Sequence, residues 1–531
     1  MAFDYRRESR DQLFLLPVSM RDWLDEGHLA WFVVDVVSHI DTAPFHARHP
    51  NHGPGRPAYD PDMMLALLFY AYGVGERSSR RIEALCRTDA AFRVVAAGAT
   101  PDHATIARFL VDHERAIEGA FVGVLRLCAA AGLVSVGTIA IDGTKMGTDA
   151  ALGANRGRSA ITSEIERLRA DVEVVLAEAL ATDAAEEHQE ALFDRLPVEL
   201  SSRSGRLARL EVALATIKAE EAIMAEEAKA AAAPAREAAA DGRKLPGPKP
   251  KGPLDKLARA EVEVEAVRSR VEMALAARAA DRAADEALAA GEGRTLAGYA
   301  PKGMWARERR DIDRADQRLH EARSAVAAAP SEEHRVNVTD PESRIMKTAN
   351  GWVQGYNAQA VVNGFQIVTA YAVTQDVSDV RQFLPMVTAA QAVLNAIGIS
   401  EPIGTVLADA GYWSEDNATA EGPVRLIATL KDWKQRRAAR DLGTTSGPPS
   451  EGASTMEAME HRLRTPEGAQ AYALRSHTVE PVFGDIKENR GWRRFRRRGL
   501  DAARSEWALM TLSHNVTKLF ANQATLGQAL T

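Results

Sequence analysis

Over the first 132 residues the apolar side chains recur at steps of three and four, the period of helices buried along one face. Leu13 to Leu16 and Trp23 to Val37 supply a short helical region. Tyr59-Asp60-Pro61 predicts a helix start: the Asp60 carboxylate can accept from the first turn, and Pro suits the first helical position. Met63, Met64, Leu67, Leu68 and Ala71 make that helix's apolar stripe, and Gly73 and Gly75 stop it. A second helix is expected from Ser78 to Cys86. A third starts at Thr100-Pro101-Asp102-His103, turns Ile106, Phe109 and Leu110 inward, and runs to Ala131 before Gly132. Short helices, tight turns and the outward Arg80, Arg81 and Arg108 are compatible with a helix-turn-helix, although an ordinary bundle has the same pattern. His46 to Arg56 reads as a loop by its Pro and Gly content, and its histidines have no regular metal-ligand spacing.

The pattern then changes period. Val136 to Ile141 is a short β-rich run that stops at Asp142, and Ile403 to Ala408 is another that stops at Asp409. With a Gly close behind each, they read as buried strands delivering a carboxylate at the strand end. Trp352 to Val362 and Phe365 to Val373 flank Asn363-Gly364, a hairpin signal because both turn residues accept positive φ. Asp379 to Ala396 reads as a helix and Val424 to Leu430 as a strand. A polar loop covers 440–455, Glu480 sits on a helix, and Ala503 to Phe520 forms a terminal amphipathic helix. Residues 155–333 break this series. Leu207, Leu210, Leu214 and Ile217, and again Val264, Val267 and Val271, recur at coiled-coil spacing, which predicts two long antiparallel helices joined by a Pro-rich linker near 231–253. With that departure set aside, the order is three strands, a helix, a strand, a helix or loop, a strand and a helix. It predicts an α/β (α+β) fold: a ribonuclease-H-like mixed sheet, interrupted after its first strand by a helical, coiled-coil insertion, behind an N-terminal all-α domain. The expected divisions are 1–132, an N-terminal helical, DNA-binding domain; 133–154 and 336–531, the two parts of the sheet domain, the second with a basic C-terminal region; and 155–335, the insertion.

Composition refines this only slightly. With 531 residues, 46% hydrophobic and 26% charged, the chain has the make-up of a soluble protein of roughly three or four domains. Its net charge of −7 gives no global reason to bind nucleic acid, so that case must rest on local clustering. Cys86 and Cys128 lie in apolar helical patterns and read as buried free thiols of a reducing cytosol. No window approaches the roughly 18 apolar residues of a membrane span. The N-terminal M-A-F-D-Y-R-R-E lacks a signal peptide's apolar core. A cytoplasmic protein with no membrane partner is expected.

One stretch carries the chemistry: Y-A-L-R-S-H-T-V-E-P-V-F-G-D-I-K-E-N-R-G-W-R-R-F-R-R-R, from Tyr472 to Arg498. From Glu480 to Lys487 is about two helical turns, so a helix puts both on one face. Arg490, Arg493, Arg494, Arg496, Arg497 and Arg498 follow as a polyanion-binding candidate. Trp492 and Phe495 within that run can stack on bases or pack in a core, and so can Tyr412 and Trp413 behind Asp409. Two strand-end carboxylates, Asp142 and Asp409, and the helical Glu480 can hold a pair of Mg²⁺ ions about 3.5–4 Å apart, and hard Mg²⁺ favours such oxygen ligands. Singly, each acid reads as a turn or surface residue. Their order and company point to metal-dependent work on nucleic acid. Asp485 and Glu488 compete with Glu480 on its helix, and read as its solvated face.

I-D-G-T-K-M around Asp142, A-D-A-G-Y around Asp409 and T-V-E-P-V-F-G-D-I-K around Glu480 also form a set. Together with T-D-P-E-S-R-I-M-K-T (339–348), Q-G-Y-N-A-Q-A (354–360) and G-R-P-A-Y-D-P (55–61), they resemble the DDE transposases of bacterial insertion sequences, in the group with a Y-R-E-K signature. The resemblance covers most of the chain outside the helical insertion. It implies a DNA transposase with Asp142, Asp409 and Glu480 as catalytic, metal-binding residues, two Mg²⁺ ions for which Mn²⁺ substitutes, and cleavage followed by strand transfer. The implied partner is double-stranded DNA, both the element's terminal inverted repeats and the target, with a homodimer on it and association with the nucleoid. Lys487, Arg475, Tyr472, Arg490, Arg493, Arg494 and Arg497 are the implied DNA contacts. Lys487 keeps the signature's spacing from Glu480. Arg475 lies one residue further from Glu480 than the signature has it, and Tyr472 shifts with it. Pro481, directly after Glu480, calls for a helix start near Val479 or a kink. Three rivals remain: a metal nuclease that cuts without rejoining, an inactive DNA-binding derivative, and a structural coiled-coil protein, which accounts only for 155–333.

Overall fold

The computed structural model describes residues 19–47, 58–185, 198–240, 253–292, 304–328, 334–348, 351–429 and 443–522. Leu13 to Leu16, most of the loop from His46 to Arg56, residues 241–252 of the expected linker, Leu430 and residues 440–442 lie outside them. The chain parts into two compact units, Met1–Leu152 with Glu342–Thr531, and Gly153–Pro341.

In chain order the described strands are β1 (Thr138–Gly147), β2 (Asn155–Gly157), β3 (Arg335–Asn337), β4 (Arg344–Thr348), β5 (Gly351–Asn363), β6 (Val368–Thr374), β7 (Thr405–Ala408) and β8 (Val424–Ile427). In the first unit they form a mixed sheet in the order β4-β5-β1-β7-β8, with β6 also against β5. β5 runs antiparallel to β1, β4 and β6, whereas β1, β7 and β8 are parallel.

Asp142 does not end its strand, as the apolar run predicts. β1 continues to Gly147, because β5 pairs with it as far as Gly355. What ends is the parallel ladder on β1's other edge, whose last pair is Ile141 with Ala408. Asp142 and Asp409 therefore leave that ladder side by side. The period of two puts Ile139 and Ile141 against the helix Phe383–Ala396, while Ala140 faces the helix Leu500–Ala521.

The β5–β6 hairpin is present, but its turn differs from the two-residue one that Asn363-Gly364 suggests. Gln366 N–H donates to the Asn363 carbonyl at 2.9 Å, and the positive φ falls on Gln366 (62°), not on Gly364. The Asn363 side chain holds the loop by accepting from the N–H groups of Phe365 and Ile367, both at 3.0 Å.

The N-terminal helices Leu29–Ser38, Pro61–Gly73, Ser79–Thr88, Ala90–Val95, His103–Asp112 and Glu114–Ala130 share one buried core with Leu500–Ala521 and one face of the sheet. Asp60 caps Pro61–Gly73 as expected, accepting from Asp62 N–H at 3.2 Å. That helix is buried nearly all round, through Leu65, Ala66, Phe69 and Tyr70 as well as its predicted stripe, which is how a central helix reads. The expected third helix is two helices. The chain breaks at His113, whose buried ring packs between Phe45 and Phe109, with centroids 5.3 and 4.4 Å away. Cys86 and Cys128 are free and buried.

The second unit holds four described helices, not two: Arg158–Ala185, Val198–Ala240, Pro253–Gly291 and Ala306–Ala328. The first stretch of the expected linker, up to Ala240, is helical. The two helices expected to pair, Val198–Ala240 and Pro253–Gly291, do pack on one another, and each predicted seam also has a further partner. Leu210 and Ile217 pack against Ile161, Ile165 and Leu168 of the first helix. Val264 and Val267 pack against Ala315 of the fourth. β2 and β3, both in this unit apart from the sheet of the first, pair antiparallel. No helix among the described residues is long and apolar enough to cross a membrane.

Candidate active site

Buried apolar residues fix where the two aspartates emerge. Ile139, Ala140 and Ile141 on β1 and Val406, Leu407 and Ala408 on β7 are fully enclosed, so the next residue of each strand is the first polar one. Asp142 accepts from Gly143 N–H at 2.8 Å, and Asp409 from Gly411 N–H at 2.8 Å. Tyr472 O–H donates to the Ala408 carbonyl at 3.2 Å, which ties the end of β7 to the helix Pro466–Thr478.

The third acid follows directly after that helix. The helix ends at Thr478, and Glu480 starts a new short helix, Glu480–Gly484, in which Pro481 occupies the first turn. The restart expected near Val479 is there. Pro has no N–H to give the His477 carbonyl, and Gln366 Nε2 donates to that carbonyl instead, at 2.8 Å. Between the two helices Arg475 bridges the acids: its Nη2 donates to Asp142 Oδ2 at 2.7 Å and its Nη1 to Glu480 Oε1 at 3.2 Å. Glu480 is more than half exposed at 55%, whereas Asp142 keeps 19%. The three acids do not close to within 4.8 Å of one another; among the described residues only His46, Asp60 and Asp62 do so. Those three stand at the start of Pro61–Gly73, where the helix dipole opposes a cation.

The electrostatics follow from burial. It pushes the Asp142 carboxyl up to about 6; Arg475 opposes this, and Asp409 and Asp379 add to it. Burial also works against the charge on Arg475, but Asp142, Tyr472, Asp409 and Glu480 outweigh it and hold the guanidinium charged. A crowded set of carboxylates that already draws in one cation, with oxygen atoms as its donors, suits a hard divalent metal.

Two features were not legible in the sequence. Asp379, read there as a helix start, lies against the site. Its Oδ1 accepts from Lys145 Nζ (2.9 Å), Asn357 Nδ2 (2.6 Å) and Gln359 Nε2 (2.8 Å). Tyr412 is buried and donates to Gln359 Oε1, so it supports this network. Burial, with Asp379, Asp142 and Asp409 adding, raises its phenol well above the usual range. The one available signal was register: Asn357 faces Lys145 and Gln359 faces Gly143 across the β5–β1 ladder.

The basic run divides. Asp485 to Asn489 form a π-turn, closed by Arg490 N–H on the Asp485 carbonyl at 3.0 Å, and Lys487 projects from it. Burial lowers the Lys487 pKa, and Arg493 adds to this. Asp485 is no solvated-face acid: His514 Nδ1 at 2.9 Å and Arg490 at 3.0 Å hold its carboxyl below the usual range against the effect of burial. Glu488 is exposed beside Arg493. Arg490 is only 8% exposed, tied to Asp485, Tyr72, Ser513 and Thr517. Arg497 pairs with Glu114. Arg493, Arg494 and Arg498 are exposed, the last two beside Asp149. Trp492 and Phe495 are core residues; Arg77 and Arg490 lie over the Trp492 ring at 5.1 and 5.2 Å.

Residues 18–112 match the model of a transposase domain (DUF772), and residues 448–520, which contain Glu480, match the model of a transposase DDE domain. Nothing among curated proteins or solved structures matches the chain. A DDE domain implies dependence on a divalent metal and DNA as substrate. With one transposase match over residues 18–112 and a second, spanning Glu480, to a transposase DDE domain, the two matches support a DDE insertion-sequence transposase, and the DDE domain indicates an enzyme of the polynucleotidyl transferase and endonuclease class.

Proposed function

We propose that this enzyme cuts the ends of its insertion sequence and joins them to target DNA, with Asp142, Asp409 and Glu480 holding two Mg²⁺ ions. The observation that carries the reading is the bridge from Arg475 to both Asp142 and Glu480, which holds acids from distant parts of the chain near the ladder end where Asp409 emerges. The strand order β6-β5-β1-β7-β8, with only β5 reversed against the parallel set, supports a ribonuclease-H-like sheet. Its first strand precedes the 153–341 unit, as an interrupted fold of this kind requires.

The chain's own groups divide the work. Asp142 and Asp409 are presented by rigid strands and Glu480 by a helix start. Bound divalent cations supply Lewis acidity at the attacking and leaving oxygens. Arg475 and Lys487 bind the phosphates on either side of the cut, and Tyr472 fixes the end of β7. Arg493, Arg494 and Arg498 track the DNA backbone. Arg490 and Arg497, paired internally, shape that surface from behind. Helices Ser79–Thr88 and His103–Asp112, with Arg80 and Arg108 exposed, read the element's end, and two copies of the chain act on two ends.

The test is Mg²⁺-dependent cleavage and joining of duplexes carrying the sequences that flank the coding region. The wild-type protein should nick both flanks and join them to a second duplex, and Glu480→Gln should do neither. Equal cutting by both proteins removes Glu480 from the site. Cutting without joining favours a nuclease.

A further inference from the structure

We propose that Asp379 is a fourth carboxylate of the metal centre and shares a cation with Asp409. The inference rests on the metal-binding reading above and adds a ligand to it.

Asp379 follows β6, on the loop that leads into the helix Phe383–Ala396. Its two oxygens have different surroundings. Oδ1 takes all three donors, from Lys145, Asn357 and Gln359, which fixes the plane of the carboxyl group. Asn357 is itself held by the Asp376 carbonyl at 3.1 Å, and Gln359 by Asn357 and by Tyr412. Oδ2 is turned the other way, toward Asp409. Asp379 Oδ2 and Asp409 Oδ1 both lie within 3.4 Å of a single point, the position that a Cβ on residue 411 would take. That residue is glycine, so the point is open. Gly411 has no positive φ that calls for glycine, so its missing side chain matters for the space it leaves.

β1 reaches the site from the same side. A Cβ on Gly143 would lie 2.7 Å from Asp379 Oδ1 and 2.2 Å from Gln359 Nε2. Glycine at 143 therefore lets the Asp379 network approach the strand that carries Asp142. A carboxylate with one oxygen immobilised by three donors and the other facing a catalytic acid across an open point is arranged as a metal ligand with its orienting partners built in. As a partner for Lys145 alone, Asp379 would need neither the amides nor the glycines.

The test is Mn²⁺ binding to the full-length protein, followed by calorimetry and by electron paramagnetic resonance, for wild type, Asp379→Asn, Gly411→Ala and Asp409→Asn. Asp379→Asn removes the charge and keeps the shape. Gly411→Ala closes the shared point, with its methyl group 2.9 Å from Asp409 Oδ1 and 3.4 Å from Asp379 Oδ2, and is read beside Asp409→Asn because it presses on that acid too; if Asp379→Asn fails to fold by circular dichroism, Asp379→Ser takes its place. Both variants should bind Mn²⁺ at least about tenfold more weakly than wild type. If Asp409→Asn loses Mn²⁺ while Asp379→Asn and Gly411→Ala bind it like wild type, Asp379 is no ligand and the reading of Asp409 stands. If Asp409→Asn also binds like wild type, the metal-binding reading itself fails and this inference falls with it.

Discussion

Arg475 donates to Asp142 across 2.7 Å from a position 333 residues further along the chain. Its other terminal nitrogen holds Glu480, so in the metal-free protein one guanidinium compensates two of the three acids. Removing it leaves Asp142 nearly enclosed without a counter-charge, and burial then pushes its carboxyl further up. Arg475→Ala should destabilise the metal-free protein by about 3 kcal/mol, at the low end for a broken buried pair because both partners keep some exposure. Mg²⁺ should then recover more stability in the variant than in wild type, since it binds the folded state and replaces the missing charge. Thermal unfolding with and without Mg²⁺ checks this. An equal Mg²⁺ shift in both proteins would mean that Arg475 does not stand where the cation acts.

The same burial gives Asp142 a pH signature. Its folded pKa of about 6 lies above the roughly 3.9 of an unfolded aspartate. A raised acid contributes stability that is fully present below the unfolded value and is lost as pH rises through the folded one. Metal-free protein should therefore lose stability between about pH 4 and pH 6, and Asp142→Asn should flatten that slope. Arg475, Asp409, Asp379 and Lys487 surround the group and stay in place in the variant. Mg²⁺ binding should run the opposite way and strengthen as pH rises through about 6, because the cation needs the ionised carboxylate. An unchanged slope in Asp142→Asn would assign the titration to another group.

How much of this was legible beforehand depended on how local each signal was. The strands around Asp142 and Asp409 were readable, because a buried strand must be apolar along its length and so its first polar residue stands out. The restart at Glu480 was readable from Pro481, because a missing N–H is a local fact. Asp379 was not, because its role arises from Lys145, Asn357 and Gln359, which meet it only once β1 and β5 are in register. Arg490 looked like its neighbours in a run of arginines, and only the fold puts Asp485, Ser513 and Thr517 around it. The seams of the insertion were correctly apolar, but spacing gives a face and not its partner, so two helices were expected where four stand.

Glu506 anchors the basic run from inside. It is 2% exposed, pairs with Arg77 at 2.7 Å and accepts the N–H groups of Arg496 and Arg497 at 2.9 and 3.2 Å. Burial raises its carboxyl, with Arg77 and those two donors opposing. Glu506→Ala should cost about 3–5 kcal/mol, since it leaves Arg77 enclosed without a counter-charge. Arg77→Ala should cost a similar amount. The double variant should cost less than the two singles together, by at least about 1 kcal/mol. Denaturant unfolding of the four proteins measures that coupling, and strict additivity would show that the pair does not act as a unit.

Arg490 and Arg496 separate the structural arginines from those open to DNA. The Arg490 guanidinium is spent on Asp485, the Tyr72 carbonyl and two hydroxyls, whereas the Arg496 side chain is exposed and forms no ion pair among the described residues. A phosphate contact releases counterions, so its loss lowers the slope of log affinity against log salt by about 1. Arg496→Ala should therefore lower the slope for duplex DNA by about that amount and leave stability within about 0.5 kcal/mol of wild type. Arg490→Ala should do the reverse: the slope stays, and unfolding becomes easier by about 3 kcal/mol, because Asp485 loses a buried partner while His514 remains. Binding titrations at several salt concentrations, paired with thermal unfolding, read both quantities for each variant. If Arg490→Ala lowers the salt slope as much as Arg496→Ala does, Arg490 leaves its internal partners when DNA is bound, and the basic surface is remade by its substrate.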